Sequence, residues 1–421
     1  MREMRDSGVA WIGEIPEEWS LIRFKDKYKN SKEIAGEKSI EYQSLALTLN
    51  GVVQRPKNDS DGLQPKEFDT YQVLHENDFV FKMIDLQNIS TSRVGLSPYT
   101  GLVSPAYIRF RPKNNTQYPR FIYYFLMGLY YNCVFNNLGG DGVRSALNAS
   151  DIGTLLIPYP DGKIQKQIGE SLDTICANVD TLTTNIKTQI EKLKAYKQSL
   201  ITEVVTKGLD PTVPMKDSGV EWIGEIPAHW KIQRGKALFK ETDARSADGS
   251  EELLTVSQYT GITPRSQKNV TMFEALSLEG YKICEIGDIA ANTMWLWAGA
   301  IGISEYRGVV SPSYNVYRQR SNNFAPRYLD HLLRAPMLVQ EYASLSTGIR
   351  ASRLRLYPKD FFNIMFPVPP LEEQQAILDA LNSKLSAVDR LIAIKQAKIE
   401  KLEQYKRSLI YEYVTGKREV I

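Results

Sequence analysis

Between Ile164 and Thr206 the apolar positions Ile168, Leu172, Ile175, Val179, Leu182, Ile186, Ile190, Leu193, Tyr196, Leu200 and Val204 recur mostly in steps of three and four. That is the spacing of one face of an α-helix. A second stretch repeats it with Ile377, Leu381, Leu385, Val388, Leu391, Ile399, Leu402, Tyr405, Leu409 and Tyr413. Neither stretch contains an internal proline. Each starts after a proline-rich stop ("IPYPDG", "FPVPPLEEQ") and ends near a glycine, Gly208 or Gly416, which is the expected punctuation of a helix. A helix of about 43 residues is ~65 Å long. One such helix alone leaves its apolar stripe in water, whereas two with matching stripes can close on each other as a coiled coil. A globular stretch of about 155 residues separates them, and that connectivity favours antiparallel pairing. The alternative is that each helix packs on its own globular part.

The segments between the helices mix periods. "DFVFKMI" (78–84), "GLVSPAYIRFRP" (101–112) and "TLLIPYP" (154–160) read as strands. "PRFIYYFLMGLYYNCVFNN" (119–137) reads as a helix opening at Pro119, and "PRYLDHLLRAPMLVQEYAS" (326–344) is its counterpart, with Pro336 expected to break or kink it. The predicted class is α+β. The predicted organisation is a globular domain over 1–162, a long helix over 163–210, a second globular domain over 211–370 and a second long helix over 371–421.

The two halves also share wording. "DSGVAWIGEIPEEW" (6–19) returns as "DSGVEWIGEIPAHW" (217–230), 211 positions later. "IEKLKAYKQSLITEVVTKG" (190–208) matches "IEKLEQYKRSLIYEYVTGK" (399–417), and "YTGLVSPAYIRF" (99–110) parallels "YRGVVSPSYNVY" (306–317). Several blocks in the same order define a tandem duplication. The repeated phrase marks the start of each globular part. Its tryptophans Trp11, Trp19, Trp222 and Trp230 are expected to be apolar anchors tying each globular part to the helices.

Composition narrows the class. The chain has 421 residues, 43% hydrophobic and 10% aromatic, enough for several cores and incompatible with disorder. A net charge of +3 is compatible with nucleic acid without requiring it. Cys133, Cys176 and Cys284 are scattered, as are His75, His229 and His331, so neither a disulfide framework nor clustered zinc ligands are expected. No long uncharged apolar run is present, so no membrane span is expected, and the expected location is the cytoplasm.

Enzyme motifs are missing. There is no GxxxxGK[ST], no GxGxxG after a strand, no GxSxG, no HExxH and no Asp/Asn-Pro-Pro-aromatic tetrad. "GGDGVR" (139–144) reads as a loop. Polar, glycine-opened loops stand out instead. The first half offers Lys82, Gln87, Asn88, Ser92 and Arg93, then Arg144, Ser145 and Asn148. The second offers Asn292 and Thr293 beside Trp295 and Trp297, then Arg350, Ser352, Arg353 and Arg355. Arg, Asn, Gln and Ser are the side chains that read base edges and hold phosphates. A solvated surface charge or an ion pair is the competing reading for each arginine. The framework repeats while these loops diverge, as two binders of different ligands would.

The doubled "DSGVxWIGEIPxxW", the "PLEEQQAI" helix entry and the "IEKLxxYKxSLIxEYVTGK" helix end resemble the DNA-specificity subunit of type I restriction–modification systems over essentially the whole chain. The resemblance implies two target recognition domains, each reading one half of a split, asymmetric site on double-stranded DNA. It implies long helices that pair antiparallel and set the gap between the halves. It also implies two methyltransferase (modification) subunits docked on the helices, with motor-nuclease (restriction) subunits joining them. On this reading the chain binds no cofactor and has no catalytic residue; S-adenosylmethionine, ATP and magnesium belong to the partners, and the loop residues named above contact DNA. One departure stands out: the first helix opens with "DGKIQKQI" and lacks the glutamate pair of "PLEEQQAI". The reading from a different class is a coiled-coil scaffold with two protein-binding heads.

Overall fold

Both predicted long helices are present in the computed structural model, spanning Gly162–Lys207 and Leu371–Val414. The structure describes residues 2–49, 51–57, 67–83, 93–114, 118–138, 146–268, 277–348 and 354–420. The chain forms two compact units. One comprises residues 1–186 with 396–421, the other residues 187–395, so each unit takes part of both helices.

Within each unit the helices run antiparallel. In the second, Lys395 Nζ donates to Gln189 Oε1 and Lys197 Nζ to Asp389 Oδ1 at 2.7 Å. Ascending one helix therefore descends the other. In the first, Lys406 Nζ donates to Asp180 Oδ1 at 2.6 Å. Asp180–Lys406 and Asp389–Lys197 occupy the same repeat positions, 209 apart. Exposed pairs of this kind contribute about 0–1 kcal/mol each; the buried apolar side chains do more. Buried along the helices are Ile168, Leu172, Val179, Ile186 and Ile190 on the first and Ile377, Leu381, Leu385, Val388 and Ile399 on the second, of which Ile168, Leu172, Ile377, Leu381 and Leu385 are shared with the cores of the globular parts. Leu182, Tyr196, Leu391 and Tyr405, which the stripe placed inward, are about half exposed, whereas Thr183 is buried. A straight helix of 3.6 residues per turn drifts away from a strict seven-residue repeat.

The first unit carries two four-stranded sheets. Their orders are 51–55, 44–48, 101–103, 72–74 and 28–30, 108–112, 79–82, 93–96. The pairing of 101–103 with 44–48 is parallel, and every other pair in these sheets is antiparallel. Helix Pro119–Tyr131 covers the core with Phe121, Ile122, Phe125 and Leu126 buried. The second unit has a four-stranded antiparallel sheet ordered 239–242, 315–319, 289–291, 301–303. Its helix breaks at Pro336 as the sequence predicts, giving Pro326–Leu333 and Pro336–Leu345.

The repeated phrase folds identically in both units. Met4–Asp6 pairs with Glu14–Pro16, and Met215–Asp217 with Glu225–Pro227, in the same register. The turn is written by "DSG". Asp6 Oδ1 accepts the Gly8 N–H and Asp217 Oδ1 the Gly219 N–H, both at 2.9 Å. The two glycines take φ of +72° and +70°, a region costly for a side chain bearing Cβ. Trp19 and Trp230 are 1% and 0% exposed. Trp19 joins Leu409, Ile410, Tyr413 and Val414 in one core, and Trp230 joins Leu200, Ile201, Val204 and Val205 in the other. They are the expected anchors to the long helices, while Trp11 and Trp222 are only partly buried beside them.

Candidate nucleic-acid interface

The loops singled out for DNA contact fall unevenly on the structure. Gln87, Asn88, Ser92, Arg144, Ser145, Arg350, Ser352 and Arg353 lie outside the described residues. Arg93 opens strand Arg93–Leu96 opposite Lys82, which is half-buried at the end of Phe79–Lys82.

Asn148 is exposed, and its Oδ1 accepts the Ser150 and Asp151 N–H groups at 2.8 and 3.1 Å, capping helix Ala149–Gly153. In return the Asp151 carboxylate accepts the Asn148 N–H at 2.8 Å. This is a helix start in which the side chain supplies the missing acceptor. Asn292 turns inward: its Nδ2 donates to Tyr314 Oη at 2.9 Å and its Oδ1 accepts the Met294 N–H at 3.2 Å. Thr293 Oγ1 donates to the Ser313 carbonyl at 2.8 Å. Arg355 is exposed, and its backbone bridges Thr347 through bonds of 2.9 and 3.0 Å.

The start of each long helix holds a polar plug that the sequence did not reveal. Gln165 and Gln374, 209 positions apart, are both buried. Gln165 Nε2 donates to the Pro160 carbonyl at 2.8 Å, and Gln374 Nε2 to the Pro369 carbonyl at 2.9 Å. In the second unit Glu373 Oε2 also accepts from Trp230 Nε1 at 2.9 Å and pairs with His229 Nε2 at 2.8 Å. The first unit has Ile164 where the second has Glu373, and the Trp19 indole N–H is buried without a partner among the described residues. The missing glutamate of the first helix entry thus has a local structural consequence.

A cleft of about 940 Å3 in the second unit lies between the turn at Tyr259, helix Pro326–Leu333 and the long helices. Arg334 Nη2 donates to the Gln258 and Tyr259 carbonyls at 3.2 and 2.8 Å, and its Nη1 pairs with Asp330 at 3.4 Å. Lys197 is held by Asp389. Burial pulls the His331 imidazole below its ordinary pKa, and the Arg334, Lys197 and Arg327 cations push the same way against Asp330. Lys197 and Arg334 are paired to carboxylates and Arg327 lies 3.5 Å from Glu305, so among the described residues each of these three cleft cations already has a carboxylate partner.

Comparison with known proteins agrees with this architecture. The family model described as "Type I restriction modification DNA specificity domain" matches residues 21–192 and again 231–404. The chain therefore belongs to that family, in two tandem copies. It is 25% identical to the type I restriction enzyme MjaVIII specificity subunit of Methanocaldococcus jannaschii, over 96% of this chain and 94% of that one. Among solved structures, a chain of a type I R-M system assembly superposes with a TM-score of 0.68 at 14% identity, over 96% of this chain and 99% of the other. The HsdS subunit from Thermoanaerobacter tengcongensis superposes with a TM-score of 0.50 at 14% identity, over 96% and 98%. Among the described residues no helix is long and apolar enough to cross a membrane.

Proposed function

We propose that this chain is the non-catalytic, sequence-reading subunit of a type I restriction–modification complex. Each unit reads one half of a two-part asymmetric site on duplex DNA, and partner methyltransferase subunits modify adenines there. The observation that carries this reading is the doubled family match over residues 21–192 and 231–404, each ending within one of the long helices Gly162–Lys207 and Leu371–Val414. Phosphate contacts supply affinity and salt dependence, and the divergent loops supply sequence. Target adenines are flipped out of the duplex into the methyltransferases. S-adenosylmethionine, ATP and magnesium are used by the methyltransferase and motor-nuclease subunits, and none is assigned to this chain.

The long helices offer the methyltransferases a repeated surface. The exposed apolar side chains Leu182 and Tyr405 in the first unit recur as Leu391 and Tyr196 in the second. Equivalent residues at equivalent positions suit two copies of one partner. The complex of this chain with its methyltransferase subunits is expected to bind duplex DNA with an affinity that falls steeply as salt rises. The slope of log K against log [salt] is about −0.9 per phosphate contacted. An assembled complex without salt-sensitive duplex binding would move the reading to a protein-binding scaffold.

A further inference from the structure

We propose that Trp295 is a specificity-determining residue of the second unit, packing its exposed face against the 5-methyl group of one thymine in the major groove of the half-site that unit reads. The inference rests on the DNA-reading function proposed above. It starts from what the loop Asn292–Ala300 no longer has to offer. Asn292 is 6% exposed and spends its amide on Tyr314 Oη and the Met294 N–H. Thr293 spends its hydroxyl on Ser313. Trp297 Nε1 donates to the Met294 carbonyl at 2.9 Å. The polar side chains that would read a base edge by hydrogen bonding are turned into the loop.

The loop displays apolar surface instead. Trp295 is 50% exposed and Met294 38%. Trp295 is stacked on Trp297 with ring centroids 5.7 Å apart and an interplanar angle of 25°. Leu296 between them is fully buried and pins the turn. The Trp295 carbonyl accepts the Ala298 and Ala300 N–H groups at 3.0 and 3.1 Å, and Gly299 closes the loop at φ +87°. The stack on Trp297 restrains the indole, so it loses little side-chain entropy on contact with a ligand. The neighbouring helix Pro336–Leu345, against which Gly299 abuts at Val339, leads directly into the segment carrying Arg350, Arg353 and Arg355. The apolar display and the basic segment thus belong to connected elements of one unit. In the major groove the apolar feature that distinguishes one base pair from the others is the thymine methyl.

The test uses the assembled complex with duplexes containing its site, each with one thymine replaced by uracil, which lacks only the methyl. The wild-type complex is expected to lose about three- to tenfold in affinity at one position of one half-site. A complex carrying Trp295→Ala, with an unchanged melting temperature, is expected to bind the thymine and uracil duplexes equally at that position. Trp295→Phe is expected to restore part of the preference. Indifference of the wild-type complex to every uracil overturns the proposal while leaving the DNA-reading function intact. A uracil effect that persists in Trp295→Ala, or a Trp295→Ala defect confined to assembly with the methyltransferases, also overturns it. If the wild-type complex does not bind duplex DNA at all, the DNA-reading function and this proposal fall together.

Discussion

Trp230→Ala is expected to destabilise the second unit by about 3–5 kcal/mol, the largest effect of any single substitution proposed for this chain. The side chain is fully buried among Leu200, Ile201, Val204 and Val205 at the end of the first long helix. Its removal leaves a cavity where the globular part meets the helices. It also strips Glu373 of an indole N–H. Denaturant unfolding followed by circular dichroism measures the loss. The recognised DNA sequence should be unchanged in whatever complex survives, because the role is packing. Altered sequence preference with unchanged stability would refute it. The phenylalanine variants separate packing from hydrogen bonding. Trp230→Phe breaks the bond to Glu373, whereas Trp19→Phe removes an N–H that has no partner among the described residues. Trp230→Phe should therefore be the more damaging of the two by about 1–3 kcal/mol, and equal costs would contradict the account.

Arg350→Ala is expected to relax one base pair of one half-site by about 1–3 kcal/mol, roughly five- to 150-fold in discrimination. Arg355, two residues beyond Arg353 in sequence, is exposed and tied through its backbone to Thr347. Its replacement should weaken binding to all sequences alike and reduce the salt slope by about one phosphate contact. Competition binding against single-base variants of the site separates the two outcomes. A uniform loss for Arg350→Ala reassigns that residue to a phosphate, and no loss for either removes the segment from the interface.

The long helices and the tandem plan could be read from the chain because both rest on local, repeated signals: period, punctuation and wording. The Pro336 break was legible for the same reason. The seam positions were less so. Periodicity marked Leu182, Tyr196, Leu391 and Tyr405 as inward, but two helices cover only a narrow stripe of each other, and these four fall outside it. Buried polar pairings were not legible. Arg109 is fully buried, with its Nε donating to Asp78 at 2.6 Å and its Nη1 to Glu33 at 3.1 Å. Nothing in "YIRFRP" points to partners that far away in sequence. Side-chain type marks the polar loop residues as candidates, and type does not say where a side chain points. Asn148 is a helix cap, and Asn292 and Thr293 are spent within their own unit.

The central claim is that two reading units define one split site, and methylation mapping tests it most directly. This chain would be co-expressed with its methyltransferase subunit in a host free of DNA methylation, and methyladenine located by sequencing. The account predicts one asymmetric motif in two short parts separated by a fixed unread gap. A soluble, assembled complex that adds no methylation, or that methylates a single uninterrupted motif, would contradict it.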